Sequence, residues 1–333
     1  MKKLINDRRA VLRESLEGFA LAHPDLVRVG LEPPLVVRLD APVPGKVGVV
    51  AGGGSGHEPL HAGFVGPGML DAAVPGLIFS SPSPEPILLA DQAVDGGAGV
   101  LHVVKNYTGD ILNFELAAEL AEAAGITVRT VVVGDDVGVP DVASSVGRRG
   151  VAGTLLVEKI AGAAAARGDD LAGVAAAAAR TGTQVRTMGL ALHAGTAPHL
   201  GRPSFELPED EIELGVGIHG EPGRARVPLR DADNLTDLLV GPVLDDLALA
   251  PGDRVVLMVN GMGCTPLAEL YIVYRRARQR VEERGGIVAR SLVGEYVTSL
   301  DMAGASVTVL RLDDDLLELY DAPVRTAALR RGV

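Results

Sequence analysis

The chain has 333 residues, a formal net charge of -12, and Lys and Arg scattered rather than clustered. Binding to a phosphate backbone needs a concentrated basic face, so this charge balance argues against nucleic acid. Apolar residues make up 47% of the chain but aromatics only 3%, so any core must be packed from Val, Leu, Ile and Ala, as in sheets covered by Ala-rich helices. The single cysteine, Cys264, allows no intrachain disulfide and points to no oxidising compartment. The opening MKKLINDRRAVLRE is charged within a few residues and has no apolar signal core, and no uninterrupted apolar stretch of ~18 residues follows. The expectation is a cytoplasmic protein without a membrane span.

An amphipathic opening from Asp7 to Leu21 leads into segments punctuated by Pro and Gly. The run 46–51 reads as a buried strand that empties into Gly52-Gly53-Gly54-Ser55-Gly56-His57. The same grammar recurs at 99–104, followed by Lys105-Asn106-Tyr107-Thr108-Gly109-Asp110 and a helical pattern from Ile111 to near Gly125. The β-branched run 127–134 is the next strand. Two Ala-rich stretches, 154–167 and 170–181, read as close-packed helices. A second series of strands then covers 185–192, 211–219, 253–261, 287–294 and 305–312, with a clear helix between Pro266 and Gly285. Strands alternating with helices predict an α/β protein of two domains, each a largely parallel or mixed sheet covered by helices. The first domain spans 1–182 and carries the glycine loop and the Lys105/Asp110 loop; the second, 183–333, carries His219. Ligands of such sheets bind beyond the carboxyl ends of the strands.

Three successive glycines after a strand either let a ligand oxygen approach backbone N–H groups or simply form a tight turn. Nucleotide signatures fail here. A dinucleotide fingerprint begun at Gly52 and a nucleophile elbow centred on Ser55 both need Gly at position 57, where His57 stands. The Gly45-Lys46 pair is followed by Val47, so there is no phosphate-binding Gly-Lys-Ser/Thr ending. His57-Glu58-Pro59-Leu60-His61 has the form of a zinc-protease motif, but that chemistry needs both histidines on one face of an intact helix and a third ligand. We read it as a chance match and assign no metal. Pro59 is instead expected early in a helix, with His57 held at the end of the glycine loop.

Asp110 is either the N-cap of the helix that follows or a base for a substrate hydroxyl, and Lys105 either a rim charge or part of the same site. His219 lies in Gly215-Val216-Gly217-Ile218-His219-Gly220-Glu221-Pro222-Gly223, where flanking glycines let its ring be approached from several sides.

Together, Gly-Gly-Gly-Ser-Gly-His-Glu-Pro (52–59), Lys-Asn-Tyr-Thr-Gly-Asp (105–110) and Gly-Ile-His-Gly-Glu-Pro-Gly (217–223) resemble the K subunits of dihydroxyacetone kinases. The likeness runs from Met1-Lys2-Lys3 through Thr298-Ser299-Leu300-Asp301-Met302 to the end. It implies that a ring nitrogen of His219 adds to the ketone carbon of dihydroxyacetone to form a hemiaminal. A neutral imidazole is nucleophilic near neutral pH and cannot proceed to a neutral imine, so such an adduct stays reversible. By the same resemblance Asp110 is the base for the hydroxyl that accepts the phosphoryl group. His57 assists through a hydrogen bond, and Gly54, Ser55, Gly56 and Lys105 surround the substrate.

The resemblance further implies a homodimer active in glycerol metabolism, with no cofactor on this chain. ADP or ATP with Mg is expected on a separate helical L subunit, recharged by a phosphocarrier M subunit of the phosphotransferase system or by free ATP. The additional helical domain of single-chain, ATP-dependent relatives is not seen after this region. Departures at 193–199 (His-Ala-Gly-Thr-Ala-Pro-His), at Asn260-Gly261 and in the short stretch 231–250 leave open another short ketose such as erythrulose. The rival reading is a regulatory paralogue that binds the ketone without phosphoryl transfer. Such a protein should tolerate loss of Asp110 or His57, and this chain keeps both.

Overall fold

The computed structural model describes residues 2–139 and 147–333. These fall into two units: one of 2–133, 154–181 and 316–333, the other of 134–139, 147–153 and 182–315. The chain therefore passes between units several times, and only the crossing at 181/182 falls beside the single boundary expected after residue 182. Long-range hydrogen bonds account for the rest. Thr187 donates its backbone N–H to Asp135 and Val137 donates to Thr187, which ties 134–139 to the later strands. Ala328 donates to Gly63 and Arg325 to Pro67, which returns the C-terminal segment to the first unit. No local pattern announces such pairings.

The first unit begins with α1 (Val11–Ala22) and the antiparallel hairpin β1 (Val27–Leu31) and β2 (Pro34–Arg38). It continues through β3 (Gly48–Ser55), β4 (Ala72–Ile78), α2 (Pro84–Val94), β5 (Val100–Lys105), α3 (Thr108–Ala123), β6 (Val128–Val133), α4 (Thr154–Arg167) and α5 (Leu171–Gln184). The sheet order is β1-β2-β4-β3-β5-β6, and its pairs from β4 to β6 are parallel. Alternation along the strands divides the sheet's two faces. Val50, Val74, Val100 and Val104 pack with Ile87 and Ala90 of α2 and with Phe114 and Ala117 of α3. Residues of the opposite parity, including Gly53 and Lys105, turn to the other face.

Residues 154–165 of α4 are buried on every side, as an all-round apolar helix must be. Two charged residues, Glu158 and Lys159, are buried with them. The Lys159 ammonium is satisfied by the Leu319 carbonyl at 2.8 Å, which anchors the C-terminal segment.

In the second unit β7 (Val185–His193), β8 (Glu211–Leu214), β9 (Ala225–Pro228), α6 (Ala232–Asp246), β10 (Arg254–Gly261), α7 (Leu267–Glu283), β11 (Ile287–Gly294) and β12 (Ala303–Leu312) follow in turn. Its sheet is ordered β11-β10-β12-β7-β8-β9; β10 and β11 are parallel and the remaining pairs antiparallel. Leu239, Val240, Val243 and Leu244 of α6 and Leu270, Ala277 and Val281 of α7 close its core over Leu257, Val259, Val307 and Val309. The chain ends with α8 (Asp314–Asp321) and the short pair β13 (Val324–Arg325) and β14 (Arg330–Arg331). The mixed α/β class with two helix-covered sheets is as expected. Among the described residues no helix is long and apolar enough to cross a membrane.

Candidate active site

Four local expectations need correction. The glycine triplet is not a loop, since Gly52, Gly53 and Gly54 all lie within β3. Where Gly53 would carry a Cβ, the structure has the Lys105 ammonium, so glycine here makes room for a protein cation. Residues 58–61 are a turn, not a helix, with His57 in the bend before it; a short 3-10 turn begins only at Ala62. The helix after Lys105 starts at Thr108 rather than Ile111, so Asp110 sits inside its first turn and Tyr107 occupies the cap. A carboxylate at that position is favoured by the helix dipole without acting as a cap. Finally, the strand begun at Glu211 ends at Leu214, because Gly215 adopts φ 79 and turns the chain away.

In the first unit, the structure gathers Lys105, Asp110 and His61, all buried. The Lys105 Nζ lies 3.4 Å from Asp110 Oδ2, 3.0 Å from His61 Nε2 and 3.3 Å from the Gly52 carbonyl. His61 Nδ1 is 2.5 Å from Glu158 Oε1. Burial first, then the charges of Lys105 and His57, push His61 well below the usual histidine range, so its ring is neutral. His57, fully buried, stacks on Phe79 with ring centroids 5.1 Å apart and planes at 20°. Phe79 itself has φ 57, a left-handed conformation that a bulky residue rarely adopts. Two expected substrate contacts are engaged within the protein. The Ser55 hydroxyl donates to the Gly76 carbonyl at 2.6 Å, and the Gly56 N–H donates to the Glu58 carboxylate at 3.0 Å.

In the second unit, His219 sits on a compact loop following β8. Gly217 donates to the Glu221 carbonyl, and Gly220, at φ 76, donates to Gly217. Glu221 grips His219 twice: Oε2 accepts the His219 backbone N–H at 2.9 Å, and Oε1 lies 2.9 Å from ring Nδ1. A Cβ at Gly217 would fall on the Glu221 carboxylate, with Arg149 close behind. Arg149 in turn donates to the Gly215 carbonyl at 2.8 Å and to Asp136 at 2.7 Å. Burial alone would raise Glu221, but the hydrogen bond from His219, the charge on that ring and other donors hold it at about 2. Glu221 is therefore an ionised acceptor and Nδ1 carries a proton, so once the ring gives up its second proton the remaining lone pair lies on Nε2.

Sequence reading overlooked Phe79, Glu158 and the hold of Glu221 on His219, and saw His61 only as part of an apparent zinc motif. The signals were present: a Glu two residues after the His in a glycine-rich loop, and a Glu-Lys pair inside an otherwise apolar helix.

The Dak1 domain matches residues 17–328, and the chain belongs to that family. Over the whole of both chains it is 48% identical to the PEP-dependent dihydroxyacetone kinase, dihydroxyacetone-binding subunit DhaK, of Escherichia coli (strain K12). Among solved structures it matches the dihydroxyacetone kinase from C. freundii in complex with AMP-PNP and Mg2+, at TM-score 0.90 and 37% identity, over 99% of this chain and 61% of that one. The chain thus spans about three-fifths of that kinase's length. A dihydroxyacetone kinase operon co-activator, Dha-DhaQ, also matches at TM-score 0.90 and 34% identity, over 96% of this chain and 98% of that one.

The Glu221 geometry predicts a pH signature. Because folding lowers Glu221 from the ordinary 4.5 to about 2, its stabilising contribution is complete above 4.5 and is lost as pH falls toward 2. Glu221→Gln should therefore unfold more readily than wild type at about pH 7, and the gap should narrow by about pH 3. Parallel denaturant titrations at both pH values check this. A gap that does not change with pH would show that the carboxylate charge is not what holds the loop.

Proposed function

We propose that this chain is the ketone-binding subunit of a phosphoenolpyruvate-dependent dihydroxyacetone kinase of the cytoplasm. The observation that carries the reading is the doubly held His219, whose proton is fixed on Nδ1 by Glu221. The full-length likeness to the Escherichia coli subunit supports it.

His219 Nε2 adds to the carbonyl carbon: a C–N bond forms, the carbonyl π pair moves to oxygen, and positive charge develops on the ring. Glu221, already bonded to Nδ1–H, stabilises that charge and passes the Nδ1 proton to solvent, while the alkoxide oxygen takes a proton from water and becomes a hydroxyl. Glycerol has no carbonyl and is refused at this step. Asp110 takes the proton from the hydroxyl that attacks phosphorus, and a carboxylate is the right group because the proton must leave only as the new P–O bond forms. His57 donates a hydrogen bond to the adduct oxygen, with Gly54, Ser55, Gly56 and Lys105 around the substrate.

The phosphoryl donor is a nucleotide with magnesium on a helical partner subunit, recharged by a phosphocarrier protein, and the ketone subunit works as a homodimer. The likeness to an operon co-activator favours one rival, a subunit that binds the ketone to signal rather than to react. Retention of both Asp110 and His57 favours the kinase.

Reconstitution separates the two. With the nucleotide-carrying partner and a phosphoenolpyruvate-driven phosphocarrier added, the wild-type chain should phosphorylate dihydroxyacetone; alone with ATP and magnesium it should not. Asp110→Asn should still bind the ketone by calorimetry, yet turn over ~10²–10⁴-fold more slowly, the usual cost of losing a general base. Ketone binding with no turnover by the wild-type complex would establish the signalling role instead, and testing erythrulose alongside would identify the preferred ketose.

A further inference from the structure

Glu158 is a costly residue to keep. It is fully buried in α4, its Oε1 meets His61 Nδ1, and among the described residues its Oε2 has no hydrogen-bond partner. Burial pushes its carboxyl well above the usual carboxylate range against the opposing charge of Lys105, and an apolar side chain of similar volume would pack at less cost. His61, its partner, is buried too and spends its other nitrogen on Lys105.

The hydrogens of this chain can be assigned by chemistry. An ammonium only donates, so toward Lys105 Nζ the His61 Nε2 must present a lone pair. The ring is neutral, so its single N–H lies on Nδ1 and points at Glu158 Oε1, which accepts. The reverse tautomer would aim an N–H at the ammonium and leave Nδ1 to draw a proton from Glu158. Glu158 and Lys105 together therefore fix the tautomer, the tautomer gives Lys105 an acceptor, and Lys105 is held 3.4 Å from Asp110. Gly53 leaves the space in which this contact is made.

We propose that Glu158 and His61 are positioning residues that act through Lys105 to aim the Asp110 carboxylate, a role that rests on the reading of Asp110 as the base. Neither need touch the substrate. Removing either one frees the Lys105 ammonium from one of its anchors and lets its hold on Asp110 loosen.

The first measurement needs neither partner nor substrate. Nitrogen-15 NMR of the isolated chain, with the His61 signal assigned by its loss in His61→Gln, should show the neutral Nδ1–H tautomer, unchanged between about pH 6 and 8. In Glu158→Leu the population should move toward Nε2–H. In the reconstituted kinase, Glu158→Leu and His61→Leu should each lower kcat about tenfold, a typical coupling within one hydrogen-bond network, while the isolated chain still binds the ketone. The double variant should be no slower than the slower single. His61→Gln, whose side-chain oxygen can accept from Lys105, should recover part of the loss. A wild-type His61 that is protonated or carries its proton on Nε2 would overturn the proposal, as would losses that multiply in the double variant. If the wild-type complex does not turn over at all, the kinase reading fails, and the tautomer measurement still decides the arrangement.

Discussion

Where a strand or loop residue carries no Cβ, the end of a charged side chain can occupy the space that the Cβ would fill. The structure uses this constraint at Gly53, which admits the Lys105 ammonium beside β3, and at Gly217, which admits Glu221 and Arg149 beside the His219 loop. In both units the admitted charge holds a residue that we propose acts on the ketone: Lys105 holds Asp110, and Glu221 holds His219. Any other residue at either glycine would have to expel the charge or shift the strand or loop that carries it.

Both arrangements also give up stability. Lys105, His61 and Glu158 are buried together, and an apolar cluster of similar size would avoid their desolvation. Asp136, which receives Arg149, is raised to about 6, chiefly by burial, against the opposing charge of Arg149. Phe79 adds backbone strain to place its ring on His57. Costs of this kind collected around a few titratable groups are the pattern expected of a site selected for chemistry rather than packing, and they support the proposed roles.

Much of this could be read in the sequence. The strand with a continuous apolar run at 253–261 and the helix after Pro266 fall where their patterns put them, because burial on one or both faces writes itself into local sequence pattern. His219, Asp110, Lys105 and His57 stood out because each follows a strand or glycine run, where side chains project from the ends of sheets. What local pattern could not give was partnership across the chain. Glu158 lies 97 residues from His61, and nothing in an Ala-rich helix says which histidine its one acid will meet. The glycines misled for a related reason. Without the fold, an absent side chain looks like space for a ligand, and only the placement of Lys105 shows it to be space for the protein. The hairpin of β1 and β2, the strand β4 and the helices α2 and α6 went unassigned, since Pro and Gly interrupt or border their patterns.

The central claim is that His219 captures the ketone covalently through the nitrogen that Glu221 leaves nucleophilic. Intact-protein mass spectrometry tests it most directly. The isolated chain is equilibrated with dihydroxyacetone, desalted quickly without reductant, and compared with His219→Ala treated in the same way. The account predicts a mass increase equal to one dihydroxyacetone on the wild type and none on the variant. An adduct that survives in His219→Ala would contradict it.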